Sequence, residues 1–181
     1  AWVHRYYNTL LNHPNRLADY PVNPNIAIVN GFMCAETDEL AVEKASGWTF
    51  FIFALSHYGR NGISAPGTGD LWQEFQAWRE TDKARAALTN GLIGSPETIR
   101  KRLRQFQAAH VDQVILLNQA GKTSHADICD SLKLFAEEVM PEFHADEEAH
   151  GIWKQAVLNR AIVLPELDTT PYDLYSHQNE D

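Results

Sequence analysis

The sequence predicts an α/β fold in which helices cover a small parallel sheet. Two apolar runs rich in β-branched residues, "IAIVNGFM" at 26–33 and "VDQVILL" at 111–117, are typical of strands that are buried on both faces. The long stretch between them carries helical patterns, and parallel strands need a crossover connection of this kind. Because two parallel strands alone leave apolar surface uncovered, we expect further structure to complete the sheet.

Capping residues mark the starts of several helices. Ser95 followed by Pro96 is the clearest start, because the serine hydroxyl accepts an early N–H and proline has no N–H to leave unpaired. The glycine-rich stretch 59–69 interrupts the pattern and predicts a long surface loop, and residues 59–91 are a candidate lid. Helices are predicted over 2–12, after Thr37, over 48–58 and 70–86, after Ser95 and Ser124, and over 145–163.

Composition and charge indicate a globular protein that does not bind nucleic acid. The chain has 181 residues, of which 44% are hydrophobic and 22% charged. Its formal net charge of −9 opposes contact with phosphate-rich partners. One basic cluster lies on a predicted amphipathic helix, where it forms either a solvated outer face or an anion site: Arg100, Lys101, Arg102 and Arg104.

No membrane span, metal site or disulfide scaffold is expected. The longest apolar run, 48–55, is much shorter than a transmembrane helix, and the first residues lack the features of a signal peptide. Cys34 and Cys129 are far apart and have no metal-binding spacing, which favours a reduced, cytoplasmic protein. His144 and His150 do not have the spacing of a helical metal site.

Four blocks of the sequence, spanning about residues 20–145, resemble the luciferase-like flavin-dependent monooxygenases. They are "NPNIAIVNGFMCAETDELAVEKA", "FFIFALSHYG", "APGTGDLWQEFQ" and "IGSPETIRKRLRQFQAAHVDQVILLNQAGKTSHADICDSLKLFAEEVMPEF". The last block is the most specific, since its helix cap, strand, glycine loop and "EVMPEF" ending recur in the family in this order. One departure is His110, where family members often carry glycine.

The resemblance implies a partial (β/α)8 TIM barrel. The run 26–33 would lie near the seventh strand and 111–117 near the eighth, with residues 36–91 as a large helical insertion over the top of the barrel. Residues 1–145 would then be the C-terminal part of the barrel domain, with the N-terminal half absent. Residues 146–181 would form a C-terminal helix and an acidic tail.

Candidate pocket residues follow from the barrel, because TIM-barrel active sites form at the carboxyl ends of the strands. Asn118, Gln119 and Gly121 follow the second run, where they would contact flavin or substrate or else satisfy loop backbone groups. Cys34 follows the first run, either as a pocket residue or as a buried inert thiol. His57 and Tyr58 would face a cavity under the lid or form a core or surface pair.

The helix start at Ser95 adds a further alternative, because a helix N-terminus is either a plain cap or an anion site. No catalytic residue is identified, and the resemblance places those residues in the absent half.

The activity implied by the resemblance is oxygenation of a small organic substrate by reduced FMN and dioxygen. A flavin reductase would supply the reduced FMN, and the full-length protein would be a homodimer. This segment alone would be inactive. Two alternatives stay open: a dehydrogenase that uses a deazaflavin coenzyme on the same fold, and a truncated, non-catalytic protein that binds flavin or serves as a partner subunit.

Overall fold

The computed structural model describes residues 1–13, 20, 22–62, 69–89, 91–118 and 123–168. These residues form an α/β structure, as the sequence predicts. The elements in chain order are α1 (Trp2–Asn12), β1 (Ala27–Cys34), α2 (Asp38–Lys44), α3 (Ser46–Asn61), α4 (Leu71–Arg79), α5 (Asp82–Thr89), β2 (Leu92–Gly94), α6 (Pro96–Ala108), β3 (Gln113–Leu117), α7 (His125–Glu138), α8 (Met140–Ala145) and α9 (Glu147–Leu158).

The sheet is parallel and has the strand order β2-β1-β3. The amino-terminal half of β1 pairs with β3, so that Val29 lies opposite Ile115. The carboxyl-terminal half of β1 pairs with β2, so that Met33 lies opposite Ile93. The two predicted strands are therefore confirmed, but the prediction of only two was incomplete. β2 has three residues, too few to give the sequence pattern of a strand.

Helices lie on both faces of the sheet. The chain crosses from β1 to β2 in one direction and from β2 past β1 to β3 in the other, and right-handed crossovers in opposite directions place their helices on opposite faces. On β1, Phe32 and Cys34 pack against α6 and α7, whereas Met33 between them packs against α2. We call these two surfaces the α7 face and the α2 face.

The two faces differ in how completely they are covered. The α7 face carries the larger core cluster, which consists of Phe32, Cys34, Leu92, Ile99, Leu103, Phe135 and Val139. The α2 face is covered only near the carboxyl ends of the strands, where the Trp48 indole packs so closely on Gly31 that a Cβ there would overlap it. Towards the amino ends, Val29 is 58% exposed and Ile115 is 42% exposed. An apolar strip of the sheet therefore faces solvent.

A third cluster closes the amino end of the sheet. α1 and α9, both predicted from sequence, pack together through Val3, Tyr7 and Val157. None of the helices that the structure describes is long and apolar enough to cross a membrane. Residues 169–181 of the predicted acidic tail and residues 63–68 of the predicted lid lie outside the described residues.

Three predicted helix caps are confirmed. The hydroxyl of Thr37 accepts from Leu40 N at 3.2 Å, that of Ser95 from Thr98 N at 3.4 Å, and that of Ser124 from Asp127 N at 3.1 Å. The single helix predicted over 70–86 was wrong, because the chain breaks there into α4 and α5. Thr81 causes the break: its hydroxyl donates to Trp78 O at 2.7 Å and accepts from Ala84 N at 3.3 Å.

Candidate functional site

The carboxyl edge of the sheet is the first place to look for a site. Ligands bind at this edge both in TIM barrels and in open parallel sheets, where they occupy the crevice at which the strand order reverses. Here the chain leaves β1 towards α2 on one face, and α7, which follows β3, packs on the other. The crevice therefore lies between the ends of β1 and β3, next to Cys34 and Asn118.

Asn118 lies directly at this edge. It is half-buried and follows Leu117, which pairs with Gly31 of β1. Its amide is thus placed at the level of Phe32, beside the crevice. Gln119 and Gly121, the two other candidates that follow β3, lie outside the described residues.

Cys34 is part of the core. The residue is 2% exposed, and its backbone N donates to Ser131 Oγ at 2.7 Å. Burial raises the pKa of the thiol to about 11, although the nearby Arg100 opposes the shift. The thiol is therefore protonated at neutral pH, which favours the inert interpretation over a nucleophile.

His57 and Tyr58 contribute to the packing between α3 and α4. His57 Nδ1 lies 3.3 Å from Glu74 Oε2 on α4, and its ring lies 5.8 Å from that of Phe53. The ring of Tyr58 meets the His57 ring edge to face at 5.7 Å and is 42% exposed. These contacts favour the alternative of a core and surface pair.

The amino terminus of α6 already holds an internal anion. Asp38 Oδ1 accepts from Ser95 N at 2.6 Å, and Asp38 Oδ2 accepts from Thr98 Oγ1 at 2.9 Å. The bond from the Ser95 backbone is the main reason why the pKa of Asp38 lies below its ordinary value. The alternative of an external anion at Ser95 is thus disfavoured, and the helix end ties β2 to α2. We call this arrangement the Asp38 junction.

The close approach at the Asp38 junction requires glycine. Gly94 has a φ of 158°, and a Cβ at this position would lie 2.7 Å from Thr98 Cγ2 and 2.9 Å from Asp38 Oδ1. Both distances are shorter than real Cβ contacts, so a side chain here would push the carboxylate away from α6.

A second carboxylate, Asp112, organises the amino edge of the sheet, and the sequence analysis did not single it out. It is the residue before β3, and its side chain is 3% exposed. Its four donors are Tyr7 Oη at 2.8 Å, Ile26 N at 2.8 Å, His150 Nε2 at 2.9 Å and Lys154 Nζ at 3.2 Å. We call this group the Asp112 hub.

The pKa values in the Asp112 hub follow from these bonds. Burial alone would raise the pKa of Asp112, but the hydrogen bonds from Ile26, His150, Tyr7 and Lys154 outweigh burial and hold it below its ordinary value. Burial and the same carboxylate raise the pKa of Tyr7. Asp112 is therefore an anion that only accepts, and His150 must carry its proton on Nε2.

His110, the departure from the family pattern, lies beside this hub in a left-handed conformation with a φ of 58°. Glycine adopts this conformation without strain, which explains why it suits this position. His110 stacks on Trp153 with ring centroids 3.8 Å apart and planes within 3°. Burial lowers its pKa, and the neighbouring His150 adds to the effect. The neutral ring is thus an aromatic packing group that helps to hold the strained backbone.

A pocket of about 500 Å³ opens beside the hub, between α6, β3 and α8–α9. Asp112 and His150 contribute to its wall. A buried carboxylate paired with histidine at the wall of an apolar pocket is a typical feature of ligand sites.

The three arginines of the basic cluster on α6 are engaged within the chain. Arg104 Nε lies 2.6 Å from Glu142 Oε1, Arg100 donates to the backbone O of Glu138 at 3.0 Å, and Arg102 donates to the backbone O of Gly91. These bonds favour the outer-face interpretation. Within the described ranges, no group of three or more His, Cys, Asp or Glu residues is placed to hold a metal ion.

Comparison of the chain with models of known protein families gave no match, and a search of curated proteins gave none. The resemblance to luciferase-like monooxygenases therefore depends on the four sequence blocks quoted above.

Proposed function

We propose that this chain is the C-terminal part of a luciferase-like flavin-dependent monooxygenase, with β1 and β3 as neighbouring strands of a (β/α)8 barrel. The observation that carries the proposal is the uneven covering of the sheet: helices cover the α7 face, while Val29 and Ile115 on the α2 face are exposed. In such barrels branched apolar side chains fill the interior and helices cover the outside. The apolar strip has the composition of an interior wall.

The insertion and the third strand fit this proposal. α2 and Trp48 cover only the carboxyl half of the α2 face, as an insertion over the top of a barrel would. β2 pairs with Phe32–Cys34, and among the residues that the structure describes no strand pairs with residues 27–31 of β1 on that side. In a closed barrel, that edge would pair with the preceding strand.

The described residues fit one part of FMN and not another. Asn118 offers a polar group at the carboxyl edge, and the Trp48 indole over Gly31 offers an aromatic surface on the α2 face, and groups of both kinds line sites for flavin-like ligands. A phosphate site is not offered, because the amino terminus of α6 holds Asp38 and the arginines of α6 are engaged within the chain. In this proposal other parts of the enzyme bind the phosphate. Reduced FMN would supply the oxygen chemistry.

A non-catalytic partner subunit is the second candidate, and the exposed strip favours it. The apolar strip, in which Val29 lies opposite Ile115, would serve equally well as an association surface. The two candidates differ in flavin binding. We therefore propose to test flavin binding and the covering of the strip separately.

Flavin binding is tested in the full-length protein by anaerobic titration with reduced FMN, followed by tryptophan fluorescence. We expect quenching in the wild type and loss of most of it in Trp48→Phe, because Trp48 packs on Gly31 near the carboxyl ends of the strands, where the flavin ring is proposed to bind. Trp2→Phe is the matched control, since Trp2 lies on α1 beside Arg5. Absence of quenching by both reduced FMN and a reduced deazaflavin coenzyme would refute the enzyme and leave the partner subunit.

The covering of the strip is tested by Val29→Lys. If the strip lies in a barrel interior, an unpaired lysine there lowers the free energy of unfolding of the full-length protein by about 3 kcal/mol or more. Val163→Lys is the control, because Val163 is 85% exposed and a surface change of this kind stays within about 0.5 kcal/mol. Equal, small effects of both variants would contradict the barrel. A dependence on protein concentration would indicate association instead.

A further inference from the structure

The pocket beside the Asp112 hub is separate from the carboxyl edge. It lies on the α7 face, at the amino half of β3, and its volume of about 500 Å³ falls in the usual range for small-molecule sites, about 300–1,000 Å³. The proposed flavin site lies at the opposite end of the strands. An experiment that refutes one site therefore leaves the other unaffected.

The wall of the pocket is mainly apolar. β3 contributes Val114 and Leu116, which point away from the exposed strip. The remaining apolar wall comes from the helices and consists chiefly of Leu103, Phe106, Phe135 and Phe143. A ligand that fills this space must have an apolar body, because a charged or strongly polar body would lose its hydration without compensation.

The polar rim of the pocket is acidic. Asp146 accepts from Gln107 Nε2 at 2.8 Å, and Glu147 begins α9 beside it. Asp112 lies deeper, where Lys154 already balances its charge. Asp146 and Glu147 supply the carboxylates of this rim, which also contains His144 and the amides of Gln107 and Gln113. A cationic head group complements this rim, and a carboxylate head group is repelled by it.

We propose that this pocket binds a small organic amine, with its apolar body against Val114, Leu116 and Phe143 and its ammonium group at the rim formed by Asp146 and Glu147. The ammonium donates hydrogen bonds to the rim carboxylates. The proposal assigns a ligand class to a site that the flavin chemistry does not use.

Calorimetric titration of the purified protein tests the ligand class. The probes are n-octylamine, 1-octanol and octanoate, which share one chain length and differ in head-group charge. We expect octylamine to bind about tenfold or more tightly than octanoate, with octanol between them. Equal or tighter binding of octanoate overturns the proposal, and so does the absence of octylamine binding.

Two pairs of variants place the binding in this pocket. Glu147→Gln should weaken octylamine binding several-fold and leave octanol unchanged, whereas Glu148→Gln, the neighbouring acid on α9, should change neither. Val114→Phe should abolish binding of all three probes by filling the space, whereas Val163→Phe should not. The charge pair keeps the test decisive if Val114→Phe does not fold. Octylamine binding that is indifferent to both Glu147→Gln and Val114→Phe refutes the site.

Discussion

Two aspartates hold the two ends of the same sheet, and they do so under opposite conditions. Asp112 at the amino end is 3% exposed and accepts from four residues on α1, α9 and the start of β1. Asp38 at the carboxyl end is exposed and accepts from two groups of one short segment, Ser95 N and Thr98 Oγ1. We therefore expect the two aspartate side chains to contribute differently to the stability of the fold.

Burial causes the difference. When an exposed carboxylate is removed, water replaces it and its former donors stay hydrated. When the carboxylate of Asp112 is removed, Tyr7, Ile26 and Lys154 keep buried donors without an acceptor, and Lys154 keeps a charge without its partner. Breaking a buried charged pair from one side costs much more than breaking an exposed one.

The largest effect is expected for Asp112→Ala. The variant should lose about 3 to 5 kcal/mol of unfolding free energy, because it leaves a buried cation and buried donors unpaired. Urea unfolding measures the loss, and Asp130→Ala, an exposed acid on α7, is the control with an expected change within about 0.5 kcal/mol. If Asp112→Ala loses no more than Asp38→Ala, burial does not distinguish the two ends.

The second largest effect on stability is expected when a Cβ is added to Gly94 at the Asp38 junction. Gly94→Ala should lower the free energy of unfolding by roughly 1 to 3 kcal/mol, because the new Cβ overlaps Thr98 Cγ2 and Asp38 Oδ1 and the φ of 158° is unfavourable for alanine. Gly151→Ala is the control with the opposite expected sign. Gly151 lies in α9 with open space around it, so alanine there should stabilise the helix by about 0.5 to 1 kcal/mol. Destabilisation by both variants to the same extent would contradict this account.

The sequence predicts those parts of the fold that depend on neighbouring residues. The caps at Thr37, Ser95 and Ser124 each join residues three positions apart, and all three are present. β1 and β3 are recognisable because each is long enough to show an apolar, β-branched pattern. β2 escapes prediction because a three-residue strand forms only against a partner already in place, and that partner lies far away in the chain.

The two aspartates escape prediction for a related reason. Asp38 meets Ser95 across 57 residues, and Asp112 meets Tyr7 across 105 residues. Nothing in the local pattern distinguishes them from the other acids of the chain. His110 did carry a signal, because the luciferase-like family that the sequence resembles often has glycine there, and a position that suits glycine is often left-handed. Of the candidate pocket residues, Cys34 and Asn118 have described positions at the crevice, and Asn118 is the one that is not part of the core.

The smallest effect is expected in the acid dependence of the Asp38 junction. The hydrogen bond from the Ser95 backbone lowers the pKa of Asp38 in the folded protein, so its contribution to stability is complete above the ordinary carboxyl range, about pH 4, and is lost as the pH falls through the lowered pKa. Asp38→Asn does not titrate. The stability advantage of the wild type over Asp38→Asn should therefore shrink as the pH falls below about 4.

Urea unfolding of both proteins between about pH 7 and pH 3 measures this advantage, and solvent exposure of Asp38 keeps it small. Glu39→Gln removes the same charge from the same helix turn without touching Ser95 or Thr98, so it separates the hydrogen bonds from net charge. If the stability advantage of the wild type over Glu39→Gln shrinks to the same extent as the pH falls, general charge repulsion causes the effect. If the difference in free energy of unfolding between the wild type and Asp38→Asn instead increases in acid, the carboxylate does not stabilise α6. The carboxyl end of the sheet then depends on Gly94 and the packing of β2 alone.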